Sequence, residues 1–215
     1  MGSSERYGTI ALLVAMLAAA LAGCGSSGGG TALPLPALKT FVTASAFDGN
    51  LIAVTGKANG VLAADALCMK DAQYPGTGTY KALIVDGTTR IASLSPNAGD
   101  GQVDWVLKPN AIYYQSDGRT PVMTTGGNGL FVFGTLKNPF DPNGADTYWT
   151  GLSPDWTTFP PTNGANQNCL GWSYNADIWN RGTFGQGGAT DSKAIYGSYN
   201  ALCTEKSYHL ICVEQ

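Results

Sequence analysis

Tyr148-Trp149-Thr150-Gly151-Leu152 decides how this chain folds. It is a brief aromatic and apolar run set between Gly, Asn, Asp and Pro turns, which is the pattern of a short strand. Similar runs recur at Val103 to Leu107, Leu130 to Phe133, Cys169 to Trp172 and Tyr208 to Val213. Towards the N-terminus, Thr40-Phe41-Val42-Thr43 reads as a first strand and Tyr80 to Val85 as another, ended by Asp86-Gly87. Helical periodicity is confined to one segment. Asn59-Gly60 starts a helix from about Val61 to Ala72, with Val61, Leu62, Leu67 and Cys68 partly inward, and Pro75-Gly76 breaks it. Ser173 to Asn200 reads as a long loop, and loops of that length in a compact domain are usually functional or irregular. No internal repeat is visible.

The N-terminus has a different character. Ile10 to Ala20 is apolar, and Leu21-Ala22-Gly23-Cys24 follows it. This pattern reads as a bacterial lipoprotein signal peptide over residues 1–23, with Cys24 as the lipidated first residue of the mature chain. The run is well short of the roughly 18 to 20 apolar residues that span a bilayer. Stable anchoring takes at least two acyl chains, and bacterial lipoproteins carry two or three on this cysteine. Gly25 follows Cys24 where an Asp would signal inner-membrane retention in enteric-type bacteria, so the outer membrane is the expected location. Residues 24–37 are rich in Gly, Ser and Pro and read as a flexible tether. Residues 38–215 are the expected folded domain.

About 190 residues remain after the signal, enough for one domain with a core. The net charge is −3, charged residues are 13%, and no Lys or Arg cluster exists. This composition argues against nucleic acid, polyanions and direct electrostatic binding to membranes. Glycine at 29 residues, with five Trp and ten Tyr, suits a loop-rich exported β protein with aromatic surface features. With Cys24 assigned to lipid, Cys68, Cys169, Cys203 and Cys212 remain. An even number in an exported chain implies two disulfides, with three pairings open. Zinc is not expected: there is no Cys-x-x-Cys pair and only one histidine.

The order of these elements resembles a known fold. Trp149-Thr150-Gly151-Leu152 looks like the signature strand of C-type lectin-like domains. It is followed by Cys169, Cys203 and the terminal Leu210-Ile211-Cys212-Val213-Glu214. Phe41-Val42-Thr43-Ala44-Ser45 is similar to the opening strand of endostatin, and Cys169-Leu170-Gly171-Trp172 to its Cys-x-x-Trp element. Tyr80 to Gly87, Asp104-Trp105-Val106-Leu107-Lys108-Pro109-Asn110, Asp155-Trp156-Thr157-Thr158 and His209 to Gln215 resemble the endostatin-like outer-membrane lipoproteins of Leptospira and their bacterial relatives, a family of unknown function. The resemblance runs from about Thr40 to Gln215. It implies an α+β fold of the C-type lectin-like, endostatin-like type: short antiparallel strands, one or two helices and many loops. It also implies nested disulfides, Cys68 to Cys212 and Cys169 to Cys203. Leptospiral relatives bind extracellular-matrix proteins and complement regulators, so a contact with extracellular protein or glycan is the expected function.

Catalytic and metal chemistry find little support. Ser198-Tyr199-Asn200 stands where calcium-dependent lectins carry Trp-Asn-Asp, and the carboxylate is missing. Asp141-Pro142-Asn143 resembles their other triplet, on the wrong side of Trp149. Calcium wants six to eight oxygens, carboxylates among them. His209 is the lone histidine, on the last strand, and reads as a packed or rim residue. Gly182 to Gly188 lacks the Gly-Lys-Ser/Thr of a phosphate cradle. Asp141, Asp146, Asp155 and Asp177 read as turn residues. No cofactor, metal or enzymatic activity is expected. Trp149, Trp172 and Trp105 are assigned to packing. Tyr174, Trp179, Arg181 and Phe184, in the expected loop, are the candidate contact residues. Tyr113, Tyr114 and Trp156 are the next choice. A structural envelope protein without a soluble ligand is the alternative reading. The pattern leaves the oligomeric state open.

Overall fold

The computed structural model describes residues 34–163 and 165–215. The signal segment, Cys24 and most of the tether lie outside the described residues. The domain is mixed α+β and mostly sheet. The first sheet contains β1 (Ala37–Val42), β2 (Tyr80–Ala82), β3 (Ile112–Tyr114), β4 (Pro121–Thr124) and β9 (Ile211–Glu214), in the order β2-β9-β1-β3-β4. The second contains β5 (Thr147–Trp149), β6 (Arg181–Gln186), β7 (Ser198–Leu202) and β8 (Tyr208–His209), in the order β7-β6-β5-β8. β1 runs antiparallel to β9, with Phe41 opposite Cys212, so the two ends of the described domain lie side by side. Most neighbours are antiparallel; β1–β3 and β5–β8 are the parallel pairs.

Alternation along the strands explains why these runs look continuously apolar. Side chains point to opposite faces in turn. Ile211 and Val213 enter one core cluster and Cys212 the other; the alternation continues past the end of β2, where Leu83 and Val85 enter the first and Ala82 and Ile84 the second. The first sheet is therefore covered on both faces, and a two-sided strand has no polar face to show. Leu210 separates β8 from β9 and hands the chain from one sheet to the other.

Two helices complete the second core. α1 (Leu51–Thr55) is capped by Asn50. α2 (Gly60–Cys68) starts at Asn59, whose side chain accepts from the Leu62 backbone N–H at 2.8 Å. The sequence suggests a helix to Ala72, but α2 ends four residues earlier. The Asp71 carboxylate instead accepts from the backbone N–H groups of Ala44, Ser45 and Gln73, which draws the chain out of the helix. Leu62, expected to be partly inward, is exposed.

Cys68 is bonded to Cys212, and Cys169 to Cys203, with Cα–Cα distances of 5.7 and 5.6 Å. The outer bridge ties α2 to β9. The inner bridge closes the base of the segment carrying β6 and β7.

Several expected strands take other forms. Val103 to Leu107 makes only an isolated bridge, Val103 to Ile91, and Leu130 to Phe133 is irregular. Cys169–Trp172 is a single turn in which all four residues have positive φ, at 48, 52, 69 and 63°. Such a left-handed run is costly for non-glycine residues. Here it swings the Trp172 indole inward to donate to the Val85 carbonyl at 2.9 Å. The expected loop from Ser173 to Asn200 contains β6, a 3-10 turn at Ser192–Ala194 and most of β7. Glycines at 182, 185, 187 and 188 hide these strands from a hydrophobic pattern.

Two glycines are fixed by close approach. Gly151, within the Trp-Thr-Gly-Leu stretch, has φ +72, and a Cβ there would lie 2.3 Å from the Val85 carbonyl oxygen. Gly182 lies against Trp149, and a Cβ there would meet its ring at 2.4 Å. Both let neighbouring backbone reach the tryptophans of the second core.

The sequence pattern gave no hint of an ionic cluster beneath the first sheet. The Arg90 side chain is fully buried. It pairs with both oxygens of Asp65 at 2.9 and 2.8 Å, with Asp104 at 2.5 Å, and with the Ala82 carbonyl at 2.8 Å. Lys81 also pairs with Asp104. Asp65 accepts from the Ala82 backbone N–H at 2.9 Å, so α2, β2 and the Asp104 turn converge on one guanidinium.

A groove beneath an exposed tryptophan

Four of the five tryptophans have indole N–H groups bound to backbone carbonyls: Trp105 to Gly129, Trp149 to Phe47, Trp156 to Phe131 and Trp172 to Val85. Trp179 is the exception, and 75% of its surface is exposed. A turn built by Asp177 presents it. The Asp177 carboxylate accepts from the backbone N–H groups of Trp179 and Asn180 at 2.8 and 2.9 Å. Tyr174 donates its hydroxyl to the same carboxylate at 2.9 Å. The Asn180 N–H bond, with those from Trp179 and Tyr174, holds the Asp177 carboxyl below the usual range. The hydrogen bond to Asp177 raises the Tyr174 phenol. The base of this segment is also held: Asn175 donates to Asp48 at 2.9 Å, and Asn50 bridges to Ser173. A side chain this exposed on a turn this well bonded is a presented side chain.

Trp179 stands over a groove of about 570 Å³, within the range of small-molecule sites. Ile178, Arg181, Tyr199, Asn200 and Gln167 line it with Trp179. β6 supplies Arg181 and β7 supplies Tyr199 and Asn200. Tyr199 is braced from behind by Phe159, stacked at 5.1 Å, which also stacks on Tyr196 at 5.4 Å. Ile178 is 59% exposed and Tyr199 40%, so the apolar surface around the groove is contiguous. Among the described residues the Arg181 guanidinium has no carboxylate partner. Gln167 is buried, and its Oε1 has no hydrogen-bond partner.

The four candidate contact residues therefore separate. Trp179 and Arg181 meet at the groove. Tyr174 serves the Asp177 turn and does not line it. Phe184 lies on β6 but packs into the second core, 5.2 Å from the Tyr208 ring. The reserve surface fails in part, because Tyr113 and Trp156 are buried, at 0% and 1% exposure. Tyr199, Asn200, Ile178 and Gln167 complete the groove. Strand pairing brings Tyr199 and Asn200 beside Arg181, and that pairing was not read from a glycine-rich segment.

Elsewhere the polar residues serve the fold. Asp141 accepts from the N–H groups of Asn143, Ala145 and Asp146, so Asp141-Pro142-Asn143 is a turn. The His209 Nδ1 lies 2.6 Å from the Thr43 carbonyl oxygen, and its Nε2 lies 3.6 Å from Asp146. A second depression of about 700 Å³ lies over Phe131, Phe133 and Trp156. Those rings pack on one another, with Phe133 stacked on Trp156 at 5.3 Å. Among the described residues, no group of three or more His, Cys, Asp or Glu could hold a metal ion, and no helix is long and apolar enough to cross a membrane.

The chain is thus a disulfide-bonded, mixed α+β domain with an aromatic groove at the edge of its second sheet. Residues 51–190 match the family described as a protein of unknown function, DUF1554, and the chain belongs to that family. No curated protein matches it.

Proposed function

We propose that this protein is a lipid-anchored surface binding module of the outer membrane, which contacts an extracellular protein or glycan through the Trp179 groove. The observation that carries this reading is the exposure of Trp179 on a turn fixed by Asp177. Aromatic and arginine anchors around a concavity are the usual makings of a contact site. The anchor rests on the sequence around Cys24, and the Gly/Ser/Pro tether gives the domain reach. The finer fold assignment, C-type lectin-like of the endostatin-like branch, is supported by the nested disulfides, the adjacent terminal strands and the buried Trp149. The reading is of a binder and not an enzyme, and the engagement of His209 with the Thr43 carbonyl favours it. The test is an array of matrix proteins, complement regulators and glycans probed with the purified protein. Saturable binding to any of them is expected. Binding to none would favour a structural envelope protein.

A further inference from the structure

We propose that the Trp179 groove is a calcium-independent site for an acidic saccharide, with Trp179 stacked on a pyranose face and Arg181 paired with a single sugar carboxylate. This rests on the binding-module reading and names the ligand class of the same site.

The polar lining carries the inference. Asn163, Asn180, Asn200 and Gln167 bring neutral amides to the groove, and Thr162 adds a hydroxyl. Amides donate and accept at once, which suits sugar hydroxyls that also do both. Gln167 is 4% exposed and its Oε1 lacks a partner, whereas its Nε2 donates to the Ala165 carbonyl at 3.2 Å. A buried acceptor left unmet is destabilising, and a rotation of the side chain towards the groove would let it accept a ligand hydroxyl.

The charges point the same way. Arg181 is the groove's one charged side chain, and no Asp or Glu lines it. A planar guanidinium matches a carboxylate in a bidentate pair. A net charge of −3 works against a polyanion, so one carboxylate is the fitting load. Trp179 and Tyr199 supply flat apolar faces for the C–H face of a ring. Calcium has no place here, because it requires several oxygens, carboxylates among them.

The test uses the protein purified as the cell processes it. It is applied to an array of oligosaccharides ending in glucuronic, galacturonic or N-acetylneuraminic acid. Each is printed beside its carboxyl-reduced, neutral counterpart. At least one acidic glycan should bind about tenfold more tightly than its counterpart, a difference typical of one charge-assisted pair. Arg181→Gln should erase that preference, so that acidic and neutral forms bind the variant alike. Trp179→Ala should lower both by at least about tenfold. Thermal melts of the two variants should match the wild type, and EDTA should change nothing. Equal binding of acidic and neutral forms, or loss of binding in EDTA, would overturn the inference. So would Trp179-dependent binding of an enzymatically deglycosylated protein with no glycan bound, although the binding-module reading would then stand. Glycan and protein binding both indifferent to Trp179→Ala would overturn the two together.

Discussion

Replacing the buried Arg90 with Met should strongly destabilise this domain. The substitution keeps the length and apolar stem of the side chain and removes the charge. Asp65 then loses both of its guanidinium bonds while its side chain stays 15% exposed. Asp104 is 37% exposed and keeps Lys81, so water and that lysine compensate it in part. Breaking a buried pair from one side typically costs 3 to 5 kcal/mol, so about 4 kcal/mol is expected here. For a domain of this size that corresponds to a fall in Tm of roughly 8 to 16 °C. The double variant Arg90→Met, Asp65→Leu removes the stranded carboxylate as well and should recover most of the loss. Urea unfolding followed by circular dichroism reads both. A loss under about 1 kcal/mol for Arg90→Met would refute the reasoning, as would a double variant no more stable than the single one.

Other outcomes follow from the same structure. Removing the Cys68–Cys212 bridge, which spans 144 residues, should cost about 1 kcal/mol more than removing Cys169–Cys203, which spans 34, on the loop-entropy model. Denaturant midpoints of the two double Cys→Ala variants measure this. Gly182→Ala should destabilise by about 2 kcal/mol or more, because its methyl would drive into the Trp149 ring; a melt checks it. Acid should weaken the domain in a defined window. Hydrogen bonds from Ser95 hold Asp100 at about 2, and those from Thr120 hold Asp117 at about 2. Folded values below the unfolded value mean that their contribution is complete above about pH 4 and is lost as pH falls towards 2. Tm should therefore be flat near neutrality and fall only below about pH 4. Cys24→Ser should leave an unprocessed, non-acylated precursor, read by mass spectrometry of the N-terminus.

The parts of the fold legible in the sequence are those where side chains announce a core. Tyr80 to Val85 and Tyr208 to Val213 read as strands because both faces are buried, although β2 ends at Ala82 and Leu210 divides the second run between β8 and β9. Asn59 marked the start of α2, since an amide before an apolar run has one obvious use. The four cysteines implied two bridges, and the resemblance implied their pairing. Where glycine replaces side chains, the pattern fades: β6 holds Gly182 and Gly185 and reads as loop. β3 and β4 are three and four residues long, too short for alternation to register. The left-handed turn at Cys169–Trp172 depends on packing around Trp172, and no local propensity favours it. At the groove, Trp179 stood out as an aromatic among polar neighbours, and Arg181 with it. Phe184 did not differ in composition, and only the strand alternation turns it inward. Arg90 was silent for another reason: its partners Asp65 and Asp104 lie far apart in the chain, and nothing in a local pattern pairs them.

The central claim is that Trp179 is presented for contact and is not part of the core. Trp179→Ala, measured for affinity and for Tm on the same preparation, tests it most directly. A ligand identified on the array should bind the variant more weakly by about 2 kcal/mol, close to thirtyfold in Kd, with Tm within about 1 °C of the wild type. Unchanged affinity per folded molecule, with a domain that melts early, would contradict the account and return Trp179 to the core.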